Sequence, residues 1–315
     1  MATVRRLLGN VLLGLLAVPL ANAQGLPTVN LGTTSFLDGG PPAGSGLYWQ
    51  EYFQYYNASR FNDNNGNRVR LPNPHLNIFA VLTQFIYIGE NDLPFLNAKP
   101  SLDVILPTVS PDLSFSAPVS SPRANGTGLG DLLIGPTLQF NPIMGPDGPL
   151  FVQRVEAQCI IPSGRYSNDH EINPSSGFFS FDPYWAGTIF FAPKWEASFR
   201  MHYLWNARDN NPDVIYGAHS TQAGQAFHMN WAMSYEVLEK KLRVGINGYF
   251  LNQTTDPRID GINVPGEREQ VLGCGPGLLW SISDRDFLFF NTYFETDVRN
   301  RPEGTSLLLR YVKRF

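Results

Sequence analysis

From Trp195 to Trp205 the chain alternates between two faces. One carries Trp195, Ala197, Phe199, Met201, Tyr203 and Trp205; the other carries Glu196, Ser198, Arg200, His202, Leu204 and Asn206. Successive side chains of a strand point to opposite faces, so a period of two is strand geometry, whereas a helix needs a period of about 3.6. Phe227 to Val237 repeats the pattern, with Phe227, Met229, Trp231, Met233, Tyr235 and Val237 set against His228, Asn230, Ala232, Ser234 and Glu236. Leu242 to Asn252 shows it again. Roughly ten alternating residues is the reach of one tilted strand across a bilayer. A soluble sandwich would bury the aromatic face and surround itself with Lys and Glu. Here the polar face is mainly Asn, Ser, Gln, His and isolated charges of both signs, as expected for the lumen of a membrane barrel.

The same periodicity predicts about twelve strands, near 47–57, 75–89, 100–107, 127–141, 150–161, 182–191, 194–206, 221–238, 240–254, 267–281, 286–298 and 305–315. The third has the weakest pattern. With a periplasmic N-terminus, the connections 58–74, 108–126, 162–181, 207–220 and 255–266 face outward and are long. The inward ones at 192–193, 239 and 282–285 are short, while the inward turns 90–99 and 141–149 are longer and the last outward loop, 299–304, is short. Long outer loops and short periplasmic turns are the rule for such barrels. Closure follows from the solvent, because lipid cannot hydrogen-bond an open sheet edge. The predicted fold is an all-β, transmembrane antiparallel β-barrel over residues 47–315.

Composition agrees. Aromatics make up 13% and charged residues 16% of the chain, against about 25% charged in typical soluble domains. Beyond the N-terminus no run approaches the ~20 apolar residues of a membrane helix. Trp49, Trp195, Trp205, Trp231 and Trp280 fall near strand ends or on the outer face, as interfacial girdles do.

The two ends suggest the compartment. Residues 1–23 read as a cleaved secretory signal: Arg5 and Arg6, an apolar core from Leu7 to Leu20, then the small-x-small site Ala21-Asn22-Ala23. Its removal takes the net charge from −4 to −6, which argues against a nucleic-acid partner. The chain ends on Phe315 after an alternating segment, the usual close of an outer-membrane barrel and its expected contact with the barrel-assembly machinery. Lys313, where such barrels usually carry an aromatic or apolar residue, departs from that pattern. Cys159 and Cys274 fall on strands far apart around the wall and in the lipid-facing phase, so they predict no disulfide. Residues 24–46 are rich in Gly and Pro and carry only Asp38 and no other charge; they form no regular structure by sequence and are a candidate lumen plug.

Four stretches carry a resemblance: Ser35-Phe36-Leu37-Asp38-Gly39-Gly40-Pro41-Pro42, Tyr48-Trp49-Gln50-Glu51-Tyr52-Phe53-Gln54-Tyr55-Tyr56, Gly128-Leu129-Gly130-Asp131-Leu132-Leu133-Ile134-Gly135-Pro136 and Ile161-Pro162-Ser163-Gly164-Arg165-Tyr166. With these the chain, from about Ser35 to Phe315, resembles the outer-membrane family named for the meta-pathway of phenol degradation, which includes a sphingosine-induced outer-membrane protein. The resemblance implies a barrel linked to passive uptake of aromatic hydrocarbons or of long-chain lipids such as sphingosine.

Strand phase then selects the lumen residues expected to line a substrate path: Asp131, Arg154, Glu156, Glu196, Arg200, His202, His228, Glu236, Arg243 and Glu295, with Asp297 in the same phase. Tyr48, Tyr52 and Tyr56 join them from the aromatic run that opens the barrel. The competing reading is that acids and bases pair across the lumen and stiffen it. A lipid hydrolase or acyltransferase would need a serine, a histidine and an acid together. His202 with Ser198, and His228 with Ser234, share a polar face without any nucleophile motif, so no catalytic residue is assigned. The five histidines show no metal-ligand spacing, and no metal or cofactor is expected. A purely structural barrel is the third reading. The expected partners are outer-membrane lipid, lipopolysaccharide and a hydrophobic small molecule.

Overall fold

The computed structural model describes residues 25–315. The signal segment 1–23 lies outside the described residues. Twelve antiparallel strands form the wall: β1 (Gly46–Phe61), β2 (His75–Ile88), β3 (Ala98–Ser114), β4 (Leu132–Phe140), β5 (Gly148–Glu156), β6 (Tyr184–Ala192), β7 (Trp195–Asn206), β8 (Ala226–Leu238), β9 (Leu242–Gln253), β10 (Gln270–Ser281), β11 (Asp286–Arg299) and β12 (Pro302–Arg314). Cys159–Ile161 continues β5 and Ser180–Phe181 leads into β6. Each strand pairs with the next, and β12 returns to β1 from Tyr48↔Arg314 to Phe61↔Pro302. The barrel therefore has no open edge to leave unpaired in lipid.

The wall sorts its side chains as the alternation demands. On β7, Trp195, Tyr203 and Trp205 are 37%, 45% and 41% exposed, whereas Glu196 and His202 between them are 0% and 1%. Outward aromatics thus face lipid and inward polar residues are covered inside. In β1 the even residues Tyr48, Gln50 and Tyr52 are buried, and Phe53 and Tyr55 face out.

Three expectations need correction. The weakest predicted strand is the longest observed, because β3 runs 17 residues through Pro100, Pro107 and Pro111. Proline cannot donate to a ladder, but β4 pairs with β3 only up to Ile105. Pro107 and Pro111 lie beyond it, where β2 supplies the main ladder. Asp297 does not face the lumen. It adopts φ 49° in a bulge where the pairing jumps from Leu272↔Thr296 to Gln270↔Arg299, and buried Val298 takes the inward place. Residues 221–222 do not belong to β8; they pair with Arg258–Ile259 in a small separate sheet formed by two loops.

Candidate functional site

The lumen is built from the inward faces of all twelve strands and from residues 25–45, which contain no helix or strand. That N-terminal segment runs along the interior from one rim to the other. At the loop rim, Leu26 N–H donates to Glu269 Oε1 at 3.1 Å. Midway, Gly32 N–H donates to Asn230 Oδ1 at 2.6 Å, and Gly32 O accepts from the Tyr293 hydroxyl at 2.7 Å. Below that, Phe36 is buried with Tyr48, Leu279, Phe287 and Phe289. Gly39 N–H donates to Thr188 Oγ1 at 2.8 Å, and Gly39 O accepts from Gln139 at 3.1 Å. Near the turn rim, Gly44 O accepts from the Tyr48 hydroxyl.

Charge holds the segment at one point. Asp38 accepts two hydrogen bonds from Arg200, at 2.8 and 2.7 Å, and one from Arg154 at 3.2 Å. The Arg200 guanidinium also lies 4.3 Å over the Tyr184 ring. Tyr184 and Thr137 in turn donate to Glu156, at 2.6 and 2.9 Å. Arg154, Glu156 and Arg200 therefore sit in one network with Asp38.

The remaining expected lumen residues form separate groups. Tyr52 donates to Gln84 at 2.6 Å, and Gln84 donates to Asp103. Tyr56 and Tyr249 donate to the two oxygens of Glu295, at 2.6 and 2.9 Å. Asp131 accepts from Ser176 N–H at 2.9 Å and from the hydroxyls of Ser175 and Ser176, so it ties the loop 162–179 to the wall. Glu236 and Arg243 lie at the turn rim, where Glu236 accepts from Lys240 N–H and Arg243 donates to Lys194 O.

The serines and histidines fall into different networks. Ser198 and Ser234 both donate to Glu196. His202 and His228 instead stack at 4.2 Å and share Asp182, with His202 Nδ1 and His228 Nε2 each 3.0 Å from a carboxylate oxygen. Asp182 was absent from the sequence reading. These three are the metal-capable donor set among the described residues, and their 3.0 Å separations are those of hydrogen bonds.

A depression of ≈ 440 Å³ opens on the wall between Trp185, Met201 and Tyr203 and reaches Glu156 and His202, but the spaces beside the N-terminal segment are small. Two interior cavities measure ≈ 50 and ≈ 60 Å³, whereas a pocket for a drug-sized ligand is about 300–1,000 Å³. A wider mouth of ≈ 470 Å³ opens at the turn rim beside Pro41, Pro42 and Lys240.

Residues 58–311 match the family model described as "Putative MetA-pathway of phenol degradation". The chain belongs to this family. Among solved structures, this member of the phenol-degradation family is similar to an outer membrane channel from Pseudomonas putida F1, with 17% identity and a TM-score of 0.74, over 91% of this chain and 100% of that one. That likeness shows the shared barrel fold. The β domain of the Bordetella autotransporter BrkA is similar at 8% identity and a TM-score of 0.49, over 86% and 100% of the two chains. No curated protein matches by sequence.

Proposed function

We propose that this family member is an outer-membrane channel for passive uptake of hydrophobic or amphipathic small molecules, and that residues 25–45 are a displaceable plug. The observation that carries the reading is the segment itself. It threads a closed barrel, lies against aromatic and polar wall residues, and is fastened by the single charge Asp38. Space for a substrate of this class arises when the segment moves, because the interior cavities are far below ligand size. The wall supports an amphipathic cargo: aromatic groups such as Tyr48, Tyr52 and Tyr56 offer both an apolar ring and a polar tip. Lipid and lipopolysaccharide surround the outer aromatic face, and Phe315 addresses the assembly machinery.

Tracer uptake in cells lacking the gene and in complemented cells tests this. Loss for an aromatic hydrocarbon or for sphingosine, with a small sugar unaffected, is the expected result. Loss for the sugar alone makes the protein a general porin, and no loss for any overturns the channel reading. Removing residues 25–40 raises conductance if the segment is a plug; unchanged conductance and uptake overturn that part.

A further inference from the structure

Arg310 differs from the other arginines of the lumen. Arg154 and Arg200 share Asp38, and Arg301 pairs with Glu269. Arg310 is only 7% exposed, and no carboxylate lies within ion-pair distance of it among the described residues; its Nε, like those of Arg154 and Arg301, has no hydrogen-bond partner. It sits on β12 opposite Tyr52 of β1 and Phe289 of β11. The guanidinium carbon is 3.7 Å from the Phe289 ring centroid and 5.7 Å from that of Tyr52. Aromatic faces offset part of the burial of a cation, but a buried charge is ordinarily paired.

Arg310 lines the ≈ 50 Å³ cavity. Its apolar wall includes Tyr48, Ile86 and Phe289, and its far side is closed by Phe36 of the N-terminal segment. Asp38, with its partners Arg154 and Arg200, lines the same cavity, so when the segment and its carboxylate leave, Arg310 faces a space lined by cations and of a size for a small head group. The apolar place next to it is already filled by a benzyl side chain, that of Phe36.

We infer that Arg310 is the head-group site for an amphipathic carboxylate, whose apolar body takes the place of Phe36 when the segment is displaced. The inference rests on the channel reading above. The guanidinium fork matches two carboxylate oxygens, and the same charge repels an ammonium head. The site therefore ranks molecules of one body by their heads, binding the acid more tightly than the alcohol and the alcohol more tightly than the amine, and an amine such as sphingosine would pass through the channel without using it.

The test uses three molecules with one body, phenylbutyrate, phenylbutanol and phenylbutylamine. Their binding to the purified full-length barrel is measured by calorimetry, and their uptake is measured in cells. The wild type is compared with Arg310→Gln and Arg310→Lys, each checked for heat-modifiable gel mobility as a sign of folding. Losing a charge-assisted hydrogen-bond pair is expected to weaken phenylbutyrate binding about tenfold in Arg310→Gln. Phenylbutanol binding stays within about twofold, and Arg310→Lys restores part of the acid binding by keeping the charge. Parallel loss of acid and alcohol, no change in either, or no acid binding by the wild type overturns the assignment. Because binding is read without transport, it stands or falls separately from the channel: acid binding without uptake sinks the channel reading and leaves the site.

Discussion

Arg200 on β7 grips Asp38 of the N-terminal segment with two hydrogen bonds, at 2.8 and 2.7 Å, although the two residues are 162 positions apart. Arg154 adds a third contact from β5. Both guanidinium groups are largely buried, with side chains 7% and 12% exposed. An acid at position 38 is thus the counter-charge for two cations inside the wall. Asp38→Ala leaves them unpaired, and the expected loss is about 3–5 kcal/mol of stability. It also frees the segment. Planar-bilayer recordings should show larger or more frequent openings, and the double variant Asp38→Ala, Arg200→Ala should regain part of the lost stability. Wild-type conductance in Asp38→Ala would show that the clamp does not hold the lumen closed.

Gly39 tests the same segment by shape instead of charge. A Cβ there would lie 2.2 Å from Val152 O and 2.4 Å from Thr188 N, both backbone atoms of the wall. Neither atom can yield by rotating a side chain. Gly39→Ala is expected to lift residues 36–40 off β5 and β6, raising conductance in the same direction as Asp38→Ala. Gly25→Ala is the control, because its Cβ would meet only Glu269 Oε1 at 3.6 Å, an ordinary contact. Equal behaviour of the two alanine variants would remove the steric argument.

Much of the wall was legible because lipid enforces alternation along each strand. Trp195 to Trp205 names both its faces without any knowledge of its neighbours, and the count of twelve follows from repeating that reading. β3 was underestimated because prolines ordinarily break a ladder; they are tolerated because Pro107 and Pro111 lie past the end of the β4 ladder at Ile105, and Pro100 lies past the end of the β2 ladder at Ser101. Asp297 was misplaced because a bulge reverses phase without any mark in the alternation. The interior was harder. His202 and His228 could each be placed inside, but that they face one another depends on register. Asp182 reaches both only because Tyr184 pairs with His202, which sets the residues before β6 beside them. The grip of Arg200 on Asp38 has no periodic signature at all.

Phe315 separates assembly from stability. Its ring is 59% exposed, and its backbone N–H donates to Leu47 O at 3.0 Å. The β1–β12 ladder from Tyr48↔Arg314 onward does not need that ring. Phe315→Ala should therefore change the stability of the refolded barrel by no more than about 0.5 kcal/mol, as for other exposed substitutions. Its level in the outer membrane of living cells should nevertheless fall several-fold, if the assembly machinery reads the terminal aromatic. Equal membrane levels for variant and wild type would remove that role.

Asp182 offers the sharpest test of the wall. Its carboxylate is 1% exposed and accepts from two buried rings at once, His202 Nδ1 and His228 Nε2, each at 3.0 Å. The opposite nitrogens, His202 Nε2 and His228 Nδ1, have no partner. Asp182→Ala would therefore leave two imidazoles with neither ring nitrogen satisfied, at a cost of about 1–3 kcal/mol for each stranded group. His202→Ala removes one ring and keeps one good bond, so it should cost less than Asp182→Ala. The double variant His202→Ala, Asp182→Ala should cost less than the sum of the two single variants, because both changes strike one shared bond. Urea unfolding of the refolded barrel, followed by heat-modifiable mobility, reads all three. Strict additivity would mean that the 3.0 Å contact carries no coupling and that the two histidines hold their places by packing alone.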